Sequence, residues 1–248
     1  MLVASFAAVP AFALDAGAPQ GTAASVVARA VSDVRHRARQ VNFEGESASA
    51  DARQVADWVI NTDDNYSLPF LTVDKVSAKV FVFHADGRLR GATAALLGLA
   101  VGDYSVPGIG ERKLSSIRLD ERTTPAGRFV ANLDHNLHGG EILWVDYDAA
   151  ISLHPVATSN AKERRAERLA TLSPLDNRIS YGCINVPADF FKNVVSAALK
   201  ARNGIVYVLP ETRSPQKVFA FDDVSAQTSP HRANQGQPLP LVVLAAAD

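Results

Sequence analysis

Arg178-Ile179-Ser180-Tyr181-Gly182-Cys183-Ile184-Asn185-Val186-Pro187 sets a cysteine directly after a glycine, between an apolar run and a helix start. Gly182 allows a sharp backbone turn and a close approach by a bound molecule. The N–H groups that follow can face a developing oxyanion. A helix N-terminus nearby favours a thiolate over a thiol. Cys183 is the only cysteine in the chain, so an intramolecular disulfide and a cysteine-rich zinc site are both excluded. Cys183 is therefore the nucleophile candidate. The competing reading is a small, inert, buried side chain.

A cysteine nucleophile needs a base. Of the six histidines, His154 is the best placed. It follows the apolar run Ala150–Leu153 and so projects from the end of an expected strand. Pro155 comes next; it lacks an N–H but keeps a carbonyl that can hold the imidazole N–H and fix its tautomer.

Outward from these residues the chain reads mainly as strands. Val80–Phe83 is rich in β-formers, and Asp86-Gly87 predicts a hairpin turn into Arg88–Thr93. Ala94–Val101 is a further candidate strand. Ile142–Val145 and Ala150–Leu153 flank Asp146-Tyr147-Asp148 as a pair, and Ile205–Leu209 is a late strand. A helix is expected from Pro187 to just before Gly204. Residues 161–170 form a polar helix with four basic and two acidic side chains. Earlier, 22–41 and 51–60 carry helical apolar spacing, with Val55, Trp58 and Val59 on one face of the second. After Pro210 the texture loosens towards a tail.

The chain has 248 residues, 47% hydrophobic and 21% charged, with a formal net charge of −1. These values fit a globular protein with a sizeable core, and no global basic field exists to hold nucleic acid. The apolar opening run is too short to span a bilayer, and Ala11-Phe12-Ala13 fits a signal-peptide cleavage pattern without a basic segment before it. A buried N-terminal segment is the alternative. Asp134-His135-Asn136-Leu137-His138 lacks a third ligand and reads as a polar loop rather than a metal site. Gly102, Gly108 and Gly110 make no phosphate loop.

Ser180-Tyr181-Gly182-Cys183-Ile184-Asn185 resembles the Ser/Thr-His-Gly-Cys-apolar-Asn/Arg signature of the L,D-transpeptidase family (YkuD type). Ile151–His154 resembles that family's strand ending in the base histidine. Thr124-Pro125-Ala126-Gly127-Arg128-Phe129 is similar to its Thr-Pro-x-Gly-x-Phe turn, and the resemblance spans about residues 71–210. It implies a mixed α+β fold, mainly β, with a sandwich or barrel core, flanking helices and the 161–170 helix as a lid. It divides the chain into a signal-like segment 1–13, a helical segment 14–70, a catalytic domain 71–210 and a tail 211–248. It implies an exported enzyme of the cell envelope, acting on peptidoglycan stem peptides without metal or organic cofactor, and a carbapenem target. Cys183 would attack an L,D peptide bond at diaminopimelate, and an acceptor amine would resolve the thioester. The implied roles are nucleophile for Cys183, base for His154, oxyanion donors for Gly182 and Cys183, and orienting carbonyl for Pro155.

Two departures stand out. Tyr181 occupies the place of the family's second histidine, and the interval from His154 to Cys183 is longer than usual, with the excess on 161–170. Stem peptides carry carboxylates, which arginine grips bidentately, so Arg178 and Arg165 are expected to hold substrate beside Ser180 and Asn185. The departures also suggest an unusual L-alanine to diaminopimelate cross-link. The alternatives are an L,D-carboxypeptidase or cross-link hydrolase using water on the same thioester, and a non-catalytic wall-binding module. A papain-like peptidase is disfavoured because His154 precedes Cys183. Oligomeric state is not legible.

Overall fold

The structure, a computed structural model, describes residues 39–221. The expected signal-like segment and most of the 22–41 helix lie outside those residues, as does the chain after 221.

The fold is mixed α+β and mainly β. Helix α1 (Ala50–Thr62) is followed by strands β1 (Phe70–Asp74), β2 (Lys79–Phe83), β3 (Leu89–Ala94) and the two-residue β4 (Leu97–Gly98). Strands β5 (Gly127–His135), β6 (Glu141–Asp146) and β7 (Ile151–Pro155) form the next group. A short helix α2 (Arg165–Ala170) then precedes β8 (Arg178–Ser180) and β9 (Ile184–Val186). Helix α3 runs as Ala188–Phe190, a π-helical Phe191–Ser196 and Ala197–Leu199, before β10 (Gly204–Val208) and helix α4 (Pro215–Phe219).

Eight strands form one sheet in the order β3-β2-β1-β10-β5-β6-β7-β9, and β4 pairs with β8. Just past β3, Leu96 exchanges backbone hydrogen bonds with Asn185 of β9, at 2.8 and 2.9 Å. That link joins the two edges of the large sheet and nearly closes it into a barrel, which leaves few exposed strand edges.

The central strands β1, β2 and β10 are covered on both faces, so they read as continuous apolar runs rather than alternating ones. Their side chains still alternate between two cores. Leu71, Val73, Val80, Val82, Val206 and Val208 face Phe191, Val195 and Leu199 of α3. Phe70, Phe81, Phe83, Ile205 and Tyr207 face Val55 and Val59 of α1, with Phe43 packed among them. Helix α1 starts where Ser49 accepts the Ala52 N–H at 3.1 Å and stops at Asp63 in the left-handed region.

Two sequence expectations change. The strand expected over 94–101 shrinks to Leu97–Gly98, because the chain changes partners there: Ala95 bonds Ala78, Leu96 bonds β9, and β4 bonds β8. Gly98 is packed so closely that a Cβ would lie 2.4 Å from the Arg122 carbonyl. The loosening expected after Pro210 does not hold for 211–221. There α4 brings Phe219 and Phe221 to stack on Trp58, with centroids 6.1 and 4.9 Å away. Aromatic burial outweighs the Ser- and Pro-rich texture around it.

A buried ionic cluster ties this carboxy-terminal stretch to the middle of the chain. Lys75 is fully buried, and its Nζ donates to the Asp103 carboxylate and the Thr124 carbonyl, both at 2.9 Å, and to the Gly102 carbonyl at 2.5 Å. Asp103 also accepts from the backbone of Glu211 and Thr212.

Candidate active site

The nucleophile turn joins β8 to β9. Gly182 has φ +136°, and a Cβ there would lie 2.6 Å from Ile151 Cδ1 and 2.7 Å from the Thr123 carbonyl, so only glycine fits. Ser180 Oγ closes the turn from within, donating to the Cys183 carbonyl at 2.6 Å and accepting the Gly182 N–H at 3.1 Å. Thr124, of the Thr-Pro-x-Gly-x-Phe turn, donates to the Gly182 carbonyl at 2.8 Å. Since Lys75 holds the Thr124 carbonyl, the buried cluster supports the turn through one residue.

Strands β7 and β9 run parallel, with His154 in register with Asn185. This pairing brings the His154 imidazole and the Cys183 thiol close enough for each to shift the other's pKa. His154 Nδ1 lies 2.8 Å from the Pro155 carbonyl. A carbonyl can only accept, so Nδ1 carries the proton and Nε2 is the basic nitrogen. Burial works against a charged imidazole, but contact with Cys183 and the Pro155 carbonyl outweighs it and holds His154 above its usual pKa. Burial likewise pushes the Cys183 thiol up, while His154 and then Ser152 bring it below the ordinary thiol value. The two shifts oppose each other as those of a thiol–imidazole pair should.

Asn185 is fully buried behind the pair. Its Oδ1 accepts from Arg165 Nη1 at 2.7 Å, and its Nδ2 donates to the Cys183 carbonyl at 3.2 Å and approaches His154 Nε2 at 3.5 Å. Arg165 also pairs with Glu163. The 161–170 insertion thus meets the site through one arginine. Two more of its arginines are also engaged nearby: Arg164 pairs with Glu167, and Arg168 donates to the Glu163 and Asp176 carbonyls.

The structure gives three residues expected to hold substrate different tasks. Arg178 is engaged by the Glu211 carboxylate and the Lys75 carbonyl, anchoring β8 to the ionic cluster. Ser180 and Asn185 are 3% and 0% exposed, and their side chains bond inside the fold. The Gly182 N–H, expected as an oxyanion donor, is held by Ser180, which leaves the Cys183 N–H of that pair. Tyr181 is half-buried beneath the Arg122 guanidinium, and the latter also donates to the Ile117 carbonyl. Sequence reading missed Arg122, Thr124 and Ser152 as parts of the site. Thr124 stood in the quoted Thr-Pro-x-Gly-x-Phe turn without a task, and Ser152 was within reach, since strand alternation puts it on the face of His154 two residues on.

Two grooves flank the pair, one lined by the thiol and the other by the imidazole. One, about 70 Å³, is lined by Cys183, Tyr181, Ala150, Ile117 and Arg112. The other, about 280 Å³ and more open, is lined by His154, Ser152, Trp144, Leu137 and His135.

Compared with known proteins, the chain is similar to L,D-transpeptidases of solved structure. One from Xylanimonas cellulosilytica is 13% identical, over 57% of this chain and 60% of that one, with a TM-score of 0.36. The catalytic domain of the Enterococcus faecium L,D-transpeptidase is 18% identical, over 58% and 98%, with a TM-score of 0.34. The helical cell shape determining protein of Campylobacter jejuni is 16% identical, over 64% and 56%, with a TM-score of 0.42. The chain thus spans about three fifths of the Xylanimonas chain and slightly less of the Campylobacter one. No family model and no curated protein matches it.

Proposed function

We propose that the chain is a cysteine acyltransferase of the L,D-transpeptidase type, acting on peptidoglycan stem peptides in the cell envelope. The observation that carries this reading is the Cys183–His154 pair, with Nδ1 held on the Pro155 carbonyl, the thiol lining one groove and the imidazole another. The sequence resemblance over 71–210, as the catalytic domain, supplies the substrate class. No helix among the described residues is long and apolar enough to cross a membrane.

In this reading the thiol proton passes to His154 Nε2, and the thiolate attacks the donor carbonyl at diaminopimelate. The Cys183 N–H faces the oxyanion. The departing amine of the terminal D-residue takes the proton from Nε2, leaving a thioester. An acceptor amine then gives its proton to Nε2, attacks the thioester and releases the thiol. That amine must reach the imidazole, which assigns the open His154 groove to the acceptor and the narrow Cys183 groove to the donor. Among the arginines named from sequence, only Arg165, beside Asn185, stays close to the pair to attract a stem carboxylate. An L-alanine acceptor, giving an L-alanine to diaminopimelate bond, is the finer form of the proposal, with a role in cell shape.

The test is intact mass after mixing with a carbapenem, then with donor and acceptor stem peptides. One adduct is expected, absent in Cys183→Ala and slowed in His154→Ala, followed by a cross-linked product read by fragmentation. No adduct at an alkylation-competent thiol would overturn the reading. Release of the free acid alone would replace transfer by hydrolysis, and purely diaminopimelate–diaminopimelate products would remove the L-alanine form.

A further inference from the structure

Ser152 lies on β7 two residues before His154, on the strand face opposite the core side chains Ile151 and Leu153. It is 6% exposed, and its Oγ stands 3.7 Å from Cys183 Sγ. No other hydrogen bond of that hydroxyl exists among the described residues, so the sulfur is its partner. The Ala150 carbonyl is also 3.7 Å from Sγ.

These neighbours divide by protonation state. A carbonyl can accept from the thiol S–H but only repels a thiolate. A hydroxyl can turn its hydrogen either way, so it can serve both forms. Once the sulfur is ionised, Ser152 offers it two neutral donors, its backbone N–H and its hydroxyl, and the hydroxyl is the one a substitution removes. The charged and titratable groups around the sulfur are His154, Arg165 behind His154, and Arg112 and Tyr181 along the narrow groove.

We propose that Ser152 is a further catalytic residue, its hydroxyl donating to the Cys183 thiolate while His154 holds the displaced proton. No bond to Ser152 forms or breaks: the proton moves from Sγ to Nε2, and the hydroxyl hydrogen turns towards the sulfur. When the sulfur becomes a thioester it is a poorer acceptor, and the hydroxyl is released towards the groove it lines beside His154. The proposal rests on the reading of Cys183 as an activated nucleophile.

The experiment is the pH dependence of iodoacetamide alkylation, in the full chain and in Ser152→Thr, Ser152→Val and His154→Ala. Thr and Val are near-isosteric and both suit a strand, so their comparison isolates the hydroxyl. Ser152→Val should raise the apparent thiol pKa by about one unit, a tenfold loss of thiolate below that pKa. Ser152→Thr should keep the parent profile. Equal profiles for Thr and Val, with His154→Ala still shifted, would overturn the Ser152 role and leave the nucleophile intact. An ordinary thiol titration in the parent chain, unmoved by His154→Ala, would overturn the activated nucleophile itself. Thiolate absorbance against pH gives the same pKa without a reagent, so altered reagent access in a variant cannot be mistaken for a shift.

Discussion

The Arg122 guanidinium carbon lies 3.8 Å from the centroid of the Tyr181 ring, one residue before the turn glycine. Arg122 also donates to the Ile117 carbonyl at 3.2 Å, so it ties the 105–117 wall of the narrow groove to the nucleophile turn. Such stacking contributes about 0.5–2 kcal/mol, depending on desolvation. Where the signature that the sequence resembles has a histidine, this chain has the aromatic half of a clamp.

The clamp predicts an uneven mutational series. Tyr181→Phe keeps the ring and should leave carbapenem acylation within about twofold. Tyr181→Ala or Arg122→Ala should slow it about tenfold, the rate equivalent of 1.4 kcal/mol. Stopped-flow acylation rates measure this, and a Phe variant as slow as Ala would assign the role to the hydroxyl instead.

Arg165 predicts a pH effect. Its charge lowers the His154 pKa, although burial, the largest influence, and contact with Cys183 set the net position. Removing it makes His154 more basic, so more of the imidazole is protonated at a given pH. The acid limb of the acylation profile should therefore move up in Arg165→Ala, by about half a pH unit for a partly screened charge at this range. Imidazole titration followed by NMR checks the same shift directly.

Gly182→Ala should leave no measurable acylation. The added Cβ meets Ile151 and the Thr123 carbonyl, and the φ of +136° is one that alanine adopts at a cost of roughly 1–3 kcal/mol. A variant that folds with a native circular dichroism spectrum yet acylates normally would show that the turn geometry is not required.

The ionic cluster predicts a stability change. Burial raises the Asp103 pKa, but hydrogen bonds from Thr212, Lys75 and the Glu211 backbone outweigh it and hold the carboxyl well below the usual range. Its contribution is thus complete above the ordinary carboxylate pKa of about 4 and is lost as pH falls towards its folded value. Melting temperature should hold level down to about pH 4 as far as this group is concerned, then drop. Asp103→Ala should cost about 3–5 kcal/mol at neutral pH by leaving Lys75 underpaired, and should weaken the acid dependence. Denaturant titration at pH 7 and pH 3.5 compares the two.

Much of the sheet was legible because β2, β6, β7 and β10 keep β-branched and aromatic residues in short runs. The nucleophile turn was legible through Gly182, whose conformation only glycine tolerates. What escaped depended on partners distant in sequence. The reach of β5 past Phe129 to His135 is set by pairing with β6 and β10, not by its own texture. Arg178 looked free for substrate because Glu211 is 33 residues away. Ser180 and Asn185 looked like contact residues because their polarity shows in a sequence while their inward hydrogen bonds do not. Tyr181 was noticed, but Arg122, which gives it a task, lies 59 residues earlier (181 − 122).

The hydrogen bond from His154 Nδ1 to the Pro155 carbonyl has a genetic corollary. The orienter of the base is main chain, present whatever amino acid stands at 155. Scanning substitutions across the site would never register this orienter, because no codon change deletes a carbonyl. Removing the third member takes synthesis rather than mutation, and drift in the gene can bend that support only by moving the strand that carries it.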